Sequence, residues 1–204
     1  MIGPVPVTPS GPLKDWTDAE IARAIREGVD NRGRPLLIMP SYAFHAMSDE
    51  DVMAMVAYLR SQPASGRSLP ERNLNMLAAL FVGSGMFPTS AQEPITEAVV
   101  APAPGTTGHG EYISRIAACR DCHGETLSGE PTFGGPPAPS LRAAIKNFSQ
   151  EQFINFFSTG QLPEGRTVDP LSMPWSDYRK AFTDAEFVDL YNYLISLPEA
   201  SPSQ

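Results

Sequence analysis

The sequence predicts an all-α protein built from two related units. Three observations lead to this fold class: an internal repeat, capping signals before the predicted helices, and the absence of the alternating apolar pattern of a sheet. The chain has 204 residues, 42% of them hydrophobic, which is enough for one large domain or two small ones with buried cores. The 21 prolines fall mostly in connecting stretches and favour short helices joined by shaped loops.

The internal repeat relates residues 16–61 to residues 148–196, with a two-residue length difference in the middle. Both copies have the same order of signals, so we expect each to fold as helix, loop, helix. The matched positions are Trp16 with Phe148, Gly28 with Gly160, Gly33-Arg34 with Gly165-Arg166, and Met39-Pro40 with Met173-Pro174.

Capping signals mark where these helices begin and end. The starts are T-x-x-E at 17–20 and 183–186, S-x-x-Q at 149–152, and Ser48 before three acidic residues. Gly28 and Gly160 stand where the first helix of each copy should end, as left-handed residues. A further short helix, with Tyr112, Ile113 and Ile116 on one face, should lead directly into the two cysteines.

The first copy has no such helix before it, so its apolar residues lack an obvious partner. We expect Ile21, Ile25, Met55 and Leu59 to be exposed or to lean on the apolar stretch 74–87. That stretch is too short to span a membrane and contains two glycines, so we interpret it as a packed connector rather than a membrane-touching segment. The following Pro-, Ala- and Thr-rich residues are typical of a linker.

Both cysteines lie in Cys119-Arg120-Asp121-Cys122-His123, and C-x-x-C-H is the attachment signature of c-type haem. Two thiols on one helical turn can add to the two vinyl groups on one porphyrin edge, which brings the following histidine under the iron. A redox dithiol would require a βαβ setting, which is not visible here. A zinc site would require more ligands, and the nearest further histidine is His109. The remaining alternative is a chance match.

Met173, in "LSMPWSDY", is the candidate sixth ligand of the iron. A methionine is most often a core filler, but here it lies beside Pro174 in a loop between helices, in a chain with a haem signature. A thioether opposite imidazole raises the potential of the iron and suits electron transfer.

Other residues near the motif are candidates for supporting roles. The Pro139 carbonyl is the candidate acceptor for the second nitrogen of His123, and Leu141 would pack on the ring. Trp175 would either donate its indole N–H to a haem propionate or be an ordinary half-buried residue. His45 and His109 are interpreted as surface or loop histidines.

The stretches "GEYISRIAACRDCHG", "PPAPSL" and "MPWSDYRKAFTDAEFVDLYNYL" give the chain its resemblance to a known family. It resembles class I cytochromes c, and more closely bacterial multi-haem cytochrome c subunits of membrane dehydrogenases. The resemblance is strong over 108–197 and moderate over 7–61. It implies thioether bonds at Cys119 and Cys122, with axial ligation of one haem c by His123 and Met173.

The resemblance also implies a domain division. Residues 1–62 would be a cytochrome c-like half-domain without its haem-attachment helix, 63–106 a linker or connector, and 107–204 a complete mono-haem domain. In such proteins each domain has its own C-x-x-C-H, so we expect the first domain to be truncated or, alternatively, to have lost its haem. Met39, the counterpart of Met173, would then have no haem-attachment helix opposite it.

The function expected from these features is one-electron transfer as a periplasmic carrier or as the cytochrome subunit of a respiratory dehydrogenase, not catalysis. A peroxidase-like enzyme or a haem-based ligand sensor is the alternative, and it would require an open sixth position. The net charge of −8 argues against nucleic acid and favours redox partners with basic docking patches. No signal peptide is evident, so attachment to a membrane complex would depend on a missing N-terminal region.

Overall fold

The computed structural model describes residues 11–64, 75–87, 89–129 and 138–198 and confirms the all-α fold class. The chain divides into two compact units, 1–100 and 101–204. Within the described residues the extended backbone pairs only in two isolated antiparallel bridges, Val29 with Pro35 and Gln161 with Thr167.

The described part of the first unit contains four α-helices after a short 3-10 turn at Pro12–Asp15. They are α1 (Asp18–Arg26), α2 (Ser41–Phe44), α3 (Asp49–Ser61) and α4 (Met76–Gly83). Thr17 forms the predicted capping box with Glu20, and the Ser48 side chain caps α3 by accepting the Asp51 N–H. Gly28 follows α1 with φ +68°, as its predicted left-handed role requires.

The apolar faces of α1 and α3 form a core within the first unit. Ile21 and Ile25 are 2% and 6% exposed, and Val52 and Val56 are buried with them. The prediction that Ile21 and Ile25 would be exposed or would lean on 74–87 is therefore wrong. Helix α1 packs on α3 and also on α2, whose Ser41 hydroxyl donates to the Ala24 carbonyl.

The residues from 89 to 99 also belong to this unit and have no regular secondary structure. Ser90 N–H donates to the Leu36 carbonyl (2.8 Å), and Gln92 N–H donates to the Glu27 carbonyl (2.9 Å). Further on, the Val99 carbonyl accepts the Asp49 N–H at the start of α3 (2.9 Å). This half of the predicted linker is thus fixed to the first unit by backbone hydrogen bonds.

Helix α4 has no buried residue, so the prediction that 74–87 is a packed connector is wrong for its described part. Met76 is 90% exposed and Leu80 is 65% exposed. Within the described residues, no helix is both long enough and apolar enough to cross a membrane.

The second unit, where the structure describes it, contains six α-helices and a 3-10 turn at Ile145–Asn147. They are α5 (Thr107–Ile116), α6 (Cys119–His123), α7 (Leu141–Ala144), α8 (Gln150–Thr159), α9 (Trp175–Ala181) and α10 (Asp184–Ser196). The predicted capping boxes at Ser149 and Thr183 are both present, and Gly160 ends α8 with φ +68°.

Helices α5 and α10 pack closely against each other at Gly110. A Cβ atom on Gly110 would lie 2.1 Å from the Asp189 carbonyl oxygen and 2.7 Å from Tyr193 Cβ. Only a residue without a side chain fits this contact. The neighbouring core is aromatic, with Phe157 stacked on Phe187 at 4.2 Å between ring centroids.

The two copies of the repeat have matching backbone conformations. Leu36 N–H donates to the Gly28 carbonyl (2.7 Å), and Val168 N–H donates to the Gly160 carbonyl (2.8 Å). The prolines that precede α2 and α9, Pro40 and Pro174, have φ, ψ of −78°, 52° and −79°, 52°. The sequence repeat is therefore also a structural repeat.

Gly110→Ala should destabilise the second unit by about 3 kcal/mol, because the added methyl group overlaps the α10 backbone and neither helix can move without disturbing the core. Gly108→Ala is the matched control in the same helix. Its Cβ would lie 3.5 Å from Pro102 Cβ, an ordinary contact, so better helix propensity should stabilise it by about 0.5–1 kcal/mol. Denaturant unfolding measures both, and equal stabilities would contradict the close contact.

Candidate haem attachment site

The C-x-x-C-H motif forms the one-turn helix α6, directly after α5. Helix α5 ends at Ile116, and the N–H of the following residue, Ala117, donates to the Ile113 carbonyl (2.9 Å). Ala118 then has φ +54°, a left-handed conformation that a residue with a side chain rarely adopts. This residue turns the chain so that α6 begins at Cys119.

His123 lies at the end of α6, 7% exposed, and its ring is fixed by one hydrogen bond. Its Nδ1 donates to the Pro139 carbonyl at 2.9 Å, which is the acceptor predicted from the sequence. Burial lowers the pKa of His123, although the bond to Pro139 acts in the opposite direction. The imidazole is therefore neutral, with its proton on Nδ1 and the Nε2 lone pair available to a metal.

The loop that carries Pro139 is held against the motif by backbone contacts. Gly129 N–H donates to the His123 carbonyl (2.9 Å), and Leu141 N–H donates to the Leu127 carbonyl (3.0 Å). Leu127 is fully buried and, like Ala118, has a left-handed backbone. The glycines and prolines at 134–137, which belong to the same predicted loop, lie outside the described residues.

The two cysteines of the motif have different surroundings. Cys119 packs against the core cluster of the second unit, whereas Cys122 is exposed. Burial raises the pKa of Cys119 to about 12. The Cys119 thiol is thus protonated near neutral pH and is a poor nucleophile in the folded chain.

Met173 packs against the same core cluster as Cys119. Its loop is held by backbone bonds: Met173 N–H donates to the Asp169 carbonyl (3.1 Å), and Trp175 N–H donates to the Met173 carbonyl (2.8 Å). The Trp175 indole N–H donates to the Val168 carbonyl (3.0 Å). Of the two interpretations of Trp175, this bond favours the ordinary half-buried residue, because its single N–H already has a backbone acceptor.

A tyrosine that was not among the predicted site residues joins the methionine loop to the cysteine motif. Tyr178, on α9, donates its hydroxyl proton to the Ala117 carbonyl at 2.9 Å. Burial raises the pKa of Tyr178 to about 12, so the hydroxyl remains a donor. No pattern in the sequence around Tyr178 or Ala117 predicts this contact.

Arg120, between the cysteines, joins the motif to α10. Its Nη2 donates to the Tyr193 hydroxyl (3.1 Å), and its Nη1 donates to the Glu125 carbonyl. The side chain is only 14% exposed. Arg120 therefore anchors the motif to the helix that packs on α5.

The interpretation of His109 as a surface or loop residue is wrong. It lies in α5, and its side chain is 12% exposed. The buried carboxylate of Asp189, on α10, accepts hydrogen bonds from His109 Nδ1 (2.7 Å) and from Gly105 N–H (2.9 Å). This histidine thus belongs to the α5–α10 contact, one helix away from the motif.

The residues present fit a covalently attached haem. The two thiols lie on one helical turn, and the histidine beside the second thiol has its Nδ1 occupied and its Nε2 lone pair available. A methionine on a fixed loop packs against the same core cluster as Cys119. Within the described residues, no group of three or more His, Cys, Asp or Glu side chains is arranged to hold a metal ion.

Comparison with proteins of known function gives a consistent group of relatives. The chain is 28% identical over 222 residues to the cytochrome c subunit of alcohol dehydrogenase (quinone) from Gluconacetobacter polyoxogenes, covering 93% of the chain and 46% of that subunit. It is 22% identical to the fructose dehydrogenase cytochrome subunit of Gluconobacter japonicus, covering 97% of the chain and 45% of that subunit. The chain is a homologue of dehydrogenase cytochrome subunits. The predicted resemblance is thereby confirmed.

A further relative is a nicotinate dehydrogenase subunit of Pseudomonas putida, 28% identical over 80% of the chain and 16% of that protein. The chain spans less than half the length of each of these three relatives. No family model matches the chain.

The two thiols of the chain without haem should differ in reactivity. At pH 8, iodoacetamide should modify Cys122 at least about tenfold faster than Cys119, because Cys119 packs in the core and its raised pKa leaves little thiolate. Peptide mass spectrometry of timed samples measures both rates. The control is the same chain in denaturant, where the two rates should become similar; equal rates in the folded chain would contradict the structure.

Proposed function

We propose that the protein transfers single electrons by means of one covalently bound c-type haem in its second unit. Cys119 and Cys122 would form the thioether bonds, and His123 and Met173 would be the axial ligands. The observation that carries this proposal is the His123 Nδ1 hydrogen bond to Pro139 within a C-x-x-C-H turn. The homologous dehydrogenase cytochrome subunits support it.

The number of haems follows from the cysteine count. The chain has two cysteines, and both are in this motif, so it can form thioether bonds to one haem. The first unit, with Met39 at the position that matches Met173, would contribute no thioether bond of its own.

Each residue of the site has a separate task in this proposal. The bond to Pro139 fixes the His123 tautomer and raises the basicity of Nε2. The hydrogen bonds of Met173 and Trp175 hold the loop that carries the Met173 sulfur in one conformation. The Tyr178 bond to Ala117 fixes that loop relative to the cysteine turn. When bound, the haem supplies a one-electron iron couple, whose potential a thioether ligand raises.

The protein would act as a cytochrome subunit of a dehydrogenase complex on the periplasmic side of the cytoplasmic membrane, as expected from its relatives. It would accept electrons from a catalytic subunit and pass them on without catalysing substrate oxidation itself. With a net charge of −8, it would dock transiently on basic surfaces of its redox partners, with an association rate that falls as salt increases.

Covalent attachment can be tested by the intact mass of the purified chain under denaturing conditions. The Cys119→Ala/Cys122→Ala double variant should lose all covalent haem, and each single variant should retain at most one thioether. His123→Ala should prevent formation of stable holoprotein, whereas the control His45→Ala should keep its haem, because His45 lies in the first unit. Covalent haem in the double cysteine variant would rule out the assignment.

Met173→His should keep the haem but lower its midpoint potential by on the order of 100 mV, because imidazole stabilises Fe(II) less than a thioether does. Met39→His is the matched control from the other copy of the repeat, and it should change neither the potential nor the spectrum. Potentiometric titration and the methionine–iron charge-transfer band measure the effect. High-spin iron in the unmodified protein would instead support an open sixth position and the catalytic or sensing alternative.

A further inference from the structure

Residues 75–87 of the first unit, which we call the α4 segment, present a group of exposed apolar side chains. The segment consists of the N-cap residue Asn75, helix α4 and the turn that follows the helix. No residue of α4 is buried. Exposed apolar groups that are close together in this way mark sites where a protein contacts another protein or a membrane. The large apolar side chains that are at least 40% exposed are Met76, Leu77, Leu80, Phe81, Met86 and Phe87.

Helix α4 has no polar side. Its eight residues are all apolar or glycine, so every direction around the helix axis is apolar. Residues 73–92 include no charged side chain, although 19% of the whole chain is charged. A helix that docks in the groove of a protein keeps one side in water and is therefore amphipathic. Lipid hydrocarbon surrounds a helix on all sides, so this composition favours a bilayer over a protein groove or a second copy of the chain.

The backbone of the segment has hydrogen bonds of its own at both ends of the helix. Such bonds matter in hydrocarbon, where an unpaired N–H or C=O group is costly. At the start, the Asn75 side chain accepts the Ala78 N–H (2.8 Å). At the end, three of the last four helix carbonyls accept bonds from the turn, so the last turn can leave water at low cost. These carbonyls, Leu80, Val82 and Phe81, accept from the N–H groups of Ser84 (2.9 Å), Gly85 (3.1 Å) and Phe87 (3.2 Å), respectively.

The length of α4 suits one leaflet of a bilayer. Eight residues at a rise of about 1.5 Å each give a helix of about 12 Å. The hydrocarbon of one leaflet is about 15 Å thick, so the helix can enter a leaflet and is too short to cross the membrane. The chain has a net charge of −8, which disfavours anionic lipid surfaces. Burial of apolar side chains, rather than attraction to head groups, is thus the driving force that remains.

We propose that the α4 segment inserts into one leaflet of a lipid bilayer and holds the first unit at the membrane surface. The side chains of Leu80 and Phe81 lie in the hydrocarbon, and Asn75 lies at the level of the head groups. This surface is separate from the haem motif, and the proposal does not rest on the function proposed above.

Cosedimentation of the full chain with phosphatidylcholine vesicles tests the insertion. Saturable binding is expected, and it should persist in high salt because no charged residue of the segment takes part. Vesicles that also contain phosphatidylglycerol should bind no more strongly. Binding to the anionic vesicles alone, or binding that high salt abolishes, would show attraction to head groups and overturn the proposal.

Phosphatidylcholine with a photoreactive group on its acyl chain identifies the inserted residues. After irradiation, peptide mass spectrometry should find the lipid adducts within residues 76–87. Adducts mainly on other parts of the chain would mean that a different surface inserts, which rejects the α4 segment as the membrane contact.

Matched variants locate the binding on the helix. Leu80→Glu should weaken vesicle binding at least about tenfold, because insertion would then bring a carboxylate into hydrocarbon. Ile38→Glu is the control: Ile38 is another exposed apolar residue of the first unit, outside the segment, and this variant should bind as the unmodified chain does. Circular dichroism checks the fold, and Met76→Glu is the second variant if Leu80→Glu is misfolded. Equal binding by the folded α4 variant and the control would contradict the proposal.

Sedimentation velocity without vesicles distinguishes the other possible occupant, a second copy of the chain. A dimer that Leu80→Glu dissociates, in a protein that does not bind phosphatidylcholine vesicles, would make the segment a contact between copies and reject membrane insertion. A monomer that does not bind the vesicles would reject it as well.

Discussion

The second unit depends on the contact between α5 and α10 at Gly110. Only Ala117 and Ala118 separate α5 from the cysteine turn, so the position of α10 against α5 also determines where the motif lies. The Asp189 carboxylate holds the start of α5 through Gly105 and His109, and Tyr193 holds Arg120 within the motif. Because a single methyl group at Gly110 would separate the helices, the absence of one side chain determines the placement of the site.

The methionine loop is coupled to the same frame through a different set of bonds. Tyr178 connects α9 to the Ala117 carbonyl, and Trp175 closes the loop on Val168. The two aromatic side chains that follow Met173 thus donate their polar hydrogens to backbone carbonyls. In consequence, hydrogen bonds within the protein are enough to fix the conformation of the Met173 loop.

The parts of the fold that the sequence predicts correctly have local signals, whereas the incorrect predictions concern partners far away in the chain. The caps at Thr17, Ser149 and Thr183 each depend on a few neighbouring residues, and all three are present. The burial of His109 has no local signal, because its partner Asp189 follows 80 residues later. Burial within α1 depends on packing between helices, which no residue pattern within that helix reveals. Hydrophobicity indicates that a residue favours burial, but it does not identify the surface that provides it.

The different environments of the two cysteines have a consequence for the order of events during synthesis. In the folded chain Cys119 is against the core and holds its proton, so a reaction that needs this thiol is slow. In the proposed function, bond formation at Cys119 would therefore be favoured before α5, α6 and α10 come together, while the polypeptide is still open. Folding and haem attachment would then compete in time, because a chain that folded first would have to unfold locally before Cys119 could react.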